Sequence, residues 1–206
     1  MENISDYYGF IAAVVLLTLT PGADTVFILT KSVSGGIRNG IASVLGITAG
    51  LFIHTALAAF GLSVLLMTSA LLFTSVKILG AAYLVYLGIM AIRSKEKLDF
   101  AEEYGHIPFF TIFRQGFLTN ILNPKVALFF LALLPQFVKS DAAGPIPFLI
   151  LGITFICIGT SWSFILVWFS AGLSEKLRKS KFSVYLNKAA GVVFIALGLN
   201  ILRIKN

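Results

Sequence analysis

The sequence predicts an all-α polytopic membrane protein with six transmembrane helices. Of its 206 residues, 58% are hydrophobic and only 12% are charged, whereas a soluble domain carries roughly 25% charged residues. Two stretches, 39–76 and 142–174, contain no Asp, Glu, Lys or Arg. Each is longer than the ~20 helical residues that cross a hydrocarbon layer. The apolar runs also lack the period-two alternation of membrane strands, so we expect helices.

Six apolar runs, bounded by charges and turn residues, are the predicted spans. They cover residues 7–30, 41–67, 71–92, 113–138, 147–173 and 184–202. No basic signal-peptide region precedes the first run, which we therefore expect to remain as a span. The connections carry eleven Lys and Arg on one side and four on the other. The positive-inside rule then places the odd connections in the cytoplasm and both termini outside.

The chain is predicted to be one transporter domain, residues 1–206, built from two related halves. Residues 17–27 align with 120–130 at an offset of 103, and 87–93 align with 197–203 at an offset of 110. The first repeat covers about 1–95, a charged cytoplasmic linker about 95–112 and the second repeat about 113–206. Three spans per half force the second half to insert upside down, which is the inverted plan of many transporters. Chance similarity between apolar segments is the alternative.

Matched prolines interrupt the first span of each half. We interpret Thr20 and Asn123 as N-caps, each followed by a proline, Pro21 or Pro124, at the first helical position. Gly22 belongs to the same break. Each span would then be two half-helices, the second starting inside the membrane, where its free N–H groups favour an anion. The alternative is an ordinary proline kink that neighbouring helices stabilise.

Two charged side chains lie beside these breaks. Asp24 is the only acidic residue between Asp6 and Glu96, and an ionisable group at the centre of a span costs roughly 2.5–3.5 kcal/mol. Lys125 starts the other half-helix, where the helix dipole disfavours a cation, so it needs a carboxylate. We predict that Asp24 and Lys125 face one central cavity that binds an amino acid, with its ammonium on Asp24 and its carboxylate on Lys125. A static ion pair and a lysine that reaches the interface are the alternatives.

Further polar and small residues complete the predicted site. His54 is a candidate proton relay together with Asp24, against the alternative of a packed, hydrogen-bonded histidine. Asn120 and Asn123 are candidates for contact with a substrate carboxylate. Small residues indicate close helix packing within the chain, or alternatively the seam of a homodimer; they are Gly46, Gly50, Gly80, Gly88, Gly191 and Gly198.

Other chemistries lack their motifs. The chain has no P-loop, no HExxH and no Ser/His/Asp set at membrane depth, so we predict neither an enzyme nor a cofactor. Two His and one Cys are too few for a soft-metal path, and we predict no metal site. The net charge of +7 comes from basic residues in the connections and does not indicate a nucleic-acid partner. A divalent-cation exporter and a non-transporting membrane scaffold are the remaining alternatives.

Three motifs are distinctive: TPGADTVFIL at 20–29, GAAYLVYLGIMAIRS at 80–94 and NPKVALFFLALLPQFV at 123–138. Together they resemble the LysE/RhtB family of amino-acid exporters. The resemblance implies a multi-pass exporter in the bacterial cytoplasmic membrane, driven by an ion gradient, with a proton as the expected coupling ion. Its substrates would be amino acids or derivatives such as threonine, homoserine, leucine or lysine. Many members carry PGP where this chain has Pro21, Gly22 and Ala23, and Asn in place of Asp24.

Overall fold

A computed structural model of the chain describes residues 4–64, 107–139 and 144–170, with isolated positions between 75 and 93 and between 188 and 199. The elements found there are helices, and one antiparallel bridge joins Ile4 to Val138. The predicted all-α class is therefore confirmed. Each described position within the predicted third and sixth spans is helical. Most of those two spans and of the linker lies outside the described residues, as do Gly80, Gly191 and Gly198.

Five α-helices position the site. They are α1 (Tyr7–Leu19), α2 (Ala23–Ala56), α3 (Phe109–Ile121), α4 (Pro124–Leu128) and α5 (Pro145–Ser170). A π-helical turn, Leu57–Leu62, extends α2. A π-helical turn, Phe129–Leu133, and a 3-10 turn, Leu134–Phe137, extend α4.

By length and hydropathy, two of these segments can cross a membrane within the described ranges. They are Ala23–Leu62 and Pro145–Ser170. A third candidate is the pair Phe109–Ile121 and Pro124–Phe137, which bends by 45° at its break. These spans fit the prediction of a membrane protein.

Helix α1 has a clear start and a clear end. The Asp6 side chain accepts a hydrogen bond from the backbone N–H of Gly9 at 2.8 Å and caps the first turn. Pro21 disfavours helical geometry in the preceding residue, and α1 ends at Leu19. Phe10 and Val14, both fully buried, attach α1 to the main apolar core.

Helix α2 changes direction at Gly36. The backbone there has φ 72°, a left-handed conformation that glycine adopts without steric cost. Ser32 comes into contact with Gly40 across this bend, and Ile28 packs in the same apolar cluster as Ile47. The two segments, 23–35 and 37–56, therefore fold back on each other.

This bend corrects the predicted connection between the first two spans. The chain stays helical through residues 31–40 apart from Gly36. Lys31, which we counted among the basic residues of a cytoplasmic connection, is only 4% exposed. Its ammonium lies 5.6 Å from the centre of the Phe27 ring. The short helical turn therefore buries a charge that the sequence pattern places in water.

The first and fourth predicted spans run antiparallel. At one end, Ser5 N–H donates to the carbonyl of Phe137 at 3.0 Å. At the other end, the Lys125 ammonium donates to the carbonyl of Thr20 at 2.7 Å. Residue numbers therefore rise along one segment as they fall along the other, which is the arrangement that an inverted repeat requires.

Small residues bring α2 against α3. A Cβ atom on Gly46 would overlap the carbonyl oxygen of Phe113, and one on Gly50 would lie against the side chain of Asn120. Helix backbones approach this closely only where side chains are absent. For Gly46 and Gly50, the predicted packing within the chain is confirmed.

Candidate functional site

The structure brings the two predicted helix breaks together. In the first break, α1 ends at Leu19 and α2 begins at Ala23, with Gly22 as its N-cap residue. In the second, α3 ends at Ile121 and α4 begins at Pro124. Side chains from each break contact backbone or side chains of the other half, so the two breaks form one site.

Thr20 does not cap α2, contrary to our prediction. It is the C-cap residue of α1, and its hydroxyl donates back to the carbonyl of Leu16 at 2.7 Å. The N-cap of α2 is Gly22, which has no side chain to accept a bond from the helix. Pro21 therefore lies between the two helices rather than in the first turn of the second. Thr20 contributes its carbonyl to the site and keeps its hydroxyl within α1.

The second break follows the predicted capping pattern. Asn123 is the N-cap of α4, and its Oδ1 accepts a hydrogen bond from the backbone N–H of Lys125 at 3.0 Å. Pro124 occupies the first helical position, where a proline needs no backbone donor. The N-cap role of Asn123 is therefore confirmed by the geometry.

Lys125 finds its partners at the end of α1. Its ammonium donates to the carbonyls of Leu17 at 3.0 Å and Thr20 at 2.7 Å. These carbonyls belong to the last turn of a helix, where the dipole favours a cation. A carboxylate partner is therefore not required, which corrects our expectation. Gly22 leaves room for the ammonium, because a Cβ there would lie 3.1 Å from Lys125 Nζ.

Asp24 lies in the first turn of α2, and its two carboxylate oxygens differ in their hydrogen bonding. Asn120 Nδ2 donates to Asp24 Oδ2 at 2.8 Å. The other oxygen, Oδ1, is buried and has no hydrogen-bond partner among the residues that the structure describes. Asn123, Lys125 and His54 also lie within electrostatic reach of this carboxylate. One acceptor is therefore held by the second half of the chain, and the other is free to take a donor.

Asn120 links Asp24 to His54. The Asn120 side chain is fully buried, and its backbone carbonyl lies 3.3 Å from His54 Nε2. The His54 ring stacks on Phe130, with 5.6 Å between ring centres and 26° between planes. The structure thus joins a carboxylate, an amide and an imidazole in one chain of contacts.

A small cavity opens beside these groups. It has a volume of about 50 Å³, and both Asp24 and Lys125 contribute to its wall. A cavity of this size has room for ordered water. Both predicted charges therefore lie at one small cavity.

Sequence reasoning missed the wall that α5 supplies. Thr160, Trp162 and Ser163 line the cavity, and the hydroxyl of Thr160 lies 3.0 Å from that of Thr48 on α2. The signal was a short run of hydroxyl and indole groups inside an otherwise apolar span. Within the ranges that the structure describes, His, Cys, Asp and Glu form no group of three able to hold a metal ion.

Comparison with known proteins identifies the family. The profile of the LysE type translocators matches residues 15–204. The chain belongs to the LysE type translocator family. No solved structure shows a significant match to it.

Relatives of this LysE type translocator are similar over nearly their whole length. A homoserine/homoserine lactone efflux protein of Salmonella typhimurium is 31% identical over 192 residues, covering 93% of each chain. An uncharacterized membrane protein of Vibrio cholerae is 32% identical over 197 residues, covering 96% of each. The membrane protein YrhP of Bacillus subtilis is 31% identical over 200 residues, or 93% of this chain and 95% of its own. The predicted family is confirmed, and the chain belongs to a family of helical membrane transporters.

Proposed function

We propose that this translocator exports small amino acids or their derivatives across the bacterial cytoplasmic membrane in exchange for protons. Homoserine and homoserine lactone are the first candidates, because the name of the Salmonella relative gives them as its substrates. Threonine, leucine and lysine follow as further members of the predicted class. Asp24 carries the exchange in this proposal.

The observation that carries the proposal is the position of Asp24. Its carboxylate starts a half-helix in a membrane protein, and Asn120 of the other half holds one of its oxygens. The second oxygen has no hydrogen-bond partner in the described part of the chain, and the residue lines the same cavity as Lys125. A buried acceptor without a partner is unfavourable, so an ammonium or a proton at this oxygen stabilises the site. The two ligands compete for one acid, which is what an exchange mechanism needs.

Lys125 supplies the second part of the mechanism. In the structure, its ammonium ties the carbonyls of Leu17 and Thr20 to α4. A substrate carboxylate that enters the cavity competes with these carbonyls for the same cation. Binding then loosens α1 from α4, and the two halves move relative to each other. Asn123 keeps Lys125 in place through the α4 cap.

The antiparallel contacts support the proposed topology. Ile4 pairs with Val138, so the start of the first predicted span lies beside the end of the fourth. Two points on the same side of a membrane are separated by an even number of crossings. Six spans in two inverted repeats meet this condition, with both termini outside as the positive-inside rule predicts.

Counterflow of labelled amino acids in proteoliposomes tests the proposal. The panel contains homoserine, homoserine lactone, threonine, leucine and lysine, each with and without a pH gradient. Wild type should accumulate at least one of them and respond to the gradient. Asp24→Asn and Lys125→Met should lose exchange while the protein still inserts and purifies as a folded species.

Three outcomes would contradict the proposal. If wild type moves no amino acid but accumulates a labelled divalent cation, the chain is a cation exporter. If no solute moves at all under conditions where the Salmonella relative is active, the scaffold alternative stands. Retention of full exchange by both variants would remove Asp24 and Lys125 from the mechanism.

A further inference from the structure

Among the described residues, four buried polar side-chain atoms lack hydrogen-bond partners, and two of the residues that carry them line one cavity. These two contribute the acceptor Asp24 Oδ1 on α2 and the donor Trp162 Nε1 on α5. Native proteins pair nearly all their buried polar groups, so each exception asks for an explanation. A donor and an acceptor left open at one cavity indicate a ligand that carries both kinds of group.

We propose that Trp162 binds the carboxylate of the substrate through its indole N–H, while Asp24 Oδ1 accepts a hydrogen bond from the substrate ammonium. This inference rests on the proposed export function and adds a residue that sets specificity. It makes the preferred ligand a small zwitterion, whose two charged groups are separated by a short carbon frame.

The chemistry of the two groups restricts the ligand. An indole N–H can only donate, so its partner must be an acceptor. A carboxylate is the strongest acceptor that an amino acid offers. Asp24 Oδ1 as a carboxylate can only accept, so its partner must be a donor, and the ammonium is the matching group. Lys125 lies on the same wall and adds positive charge near the substrate carboxylate.

Neighbouring residues limit the size and shape of the side chain that fits. Gly159 lines the cavity without a side chain, and a Cβ there would be 3.7 Å from Leu51 and 3.8 Å from Phe155. Leu51 and Phe155 supply an apolar end, and the hydroxyls of Thr48 and Thr160 supply groups that can donate or accept. A short side chain that ends in a hydroxyl fits this combination.

Trp162 also lines a second space beside the central cavity. It contributes to a second, mostly apolar groove of about 420 Å³, together with Val15 and Thr18 of α1 and Ile165 of α5. Thr18 and Trp162 line both spaces. Trp162 and Thr18 therefore lie where the central cavity and the larger groove are adjacent.

Tryptophan fluorescence tests the contact directly. The chain has two tryptophans, and the second, Trp168, lies on the same helix with 74% of its surface exposed. The Trp168→Phe variant leaves Trp162 as the single emitter. Saturating L-homoserine should shift the emission of this variant, because the indole N–H gains a charged acceptor. L-homoserine lactone, which has a neutral ester in place of the carboxylate, should shift it less.

Counterflow provides the second measurement. Trp162→Phe keeps an aromatic ring and removes the donor. It should raise the half-saturation concentration for homoserine roughly tenfold, which is the order expected for a lost bond to a charged group. The value for the lactone should change much less, and Trp168→Phe should leave both substrates unaffected. If the panel gives another amino acid as the substrate, that amino acid and its methyl ester replace this pair.

The outcomes separate this inference from the proposed function. An unchanged emission at saturating substrate, or equal half-saturation in Trp162→Phe and Trp168→Phe, would overturn the role of Trp162 while export stands. An equal loss for acid and lactone would mean that the ring packs against the substrate and that its N–H does not bind the carboxylate. Failure of wild type to move any amino acid would remove the proposed function and this inference together.

Discussion

The ammonium of Lys125 donates to the carbonyl of Thr20 at 2.7 Å, which joins the first turn of α4 to the last carbonyl of α1. These residues lie more than a hundred positions apart in the chain. A cation at the start of a helix is unfavourable by itself, but at the end of another helix it is stabilised. One side chain therefore connects the two helix breaks. Several consequences can be measured.

Replacing Lys125 should cost stability as well as transport. Lys125→Met removes two hydrogen bonds to a charged group, each worth roughly 1.5–3 kcal/mol, so the melting temperature in detergent should fall by about 5 °C or more. Lys125→Arg should recover part of the loss, because it keeps the charge and the donors. Lys139→Met, at an exposed lysine, is the control. Equal melting temperatures for the two Met variants would show that the carbonyl contacts do not hold the breaks together.

A side chain at position 50 should disturb Asp24 indirectly, through Asn120. In Gly50→Ala, the new Cβ would lie 2.5 Å from Asn120 Oδ1 and 2.9 Å from its Cβ, so the amide must shift and its bond to Asp24 is strained. We expect exchange to fall at least tenfold. Gly61→Ala is the matched control, since no atom of the described residues lies within 4 Å of a Cβ there. Full exchange by Gly50→Ala would mean that the Asn120 contact is dispensable.

The two residues that we expected to be N-caps should respond differently to substitution. Asn123→Ala removes a real cap and should destabilise the protein by about 1 kcal/mol, while Asn123→Ser should restore most of it. Thr20→Val should change stability by much less, because the Thr20 hydroxyl bonds only within its own helix. Thermal melting of the three variants measures the difference. A Thr20→Val loss as large as that of Asn123→Ala would contradict the assigned geometry.

Substituting His54 distinguishes a proton-relay role of this residue from a packing role. Its Nε2 lies 3.3 Å from the Asn120 carbonyl and its ring stacks on Phe130, contacts that a packed histidine makes. We therefore expect His54→Gln to keep the response of counterflow to a pH gradient while lowering its rate a few times. Counterflow at several pH gradients compares wild type with His54→Gln. Loss of the pH response with exchange intact would instead make His54 a relay.

Much of the fold followed from local features of the sequence. Uninterrupted hydrophobicity determines that the chain is helical and lies in a membrane, because buried backbone groups must pair within the segment. Proline stereochemistry determined the breaks near Pro21 and Pro124, and the Asn123 cap depends on residues two positions apart. The charge count was less reliable, since Lys31 lies in a basic connection by sequence and is buried beside the bend at Gly36.

The contacts of the site depended on tertiary structure. A threonine before a proline can cap the next helix or bond back into the previous one, and the sequence does not distinguish these for Thr20. Three features join residues that are far apart in the chain. Lys125 bonds to the end of α1, Asn120 bonds to Asp24, and Trp162 lines the same cavity as Asp24. Such pairs are set by how helices pack. The sequence by itself therefore determined the membrane class, the breaks and the charges beside them, and only the packing of α1 to α5 decided which atom each charge meets.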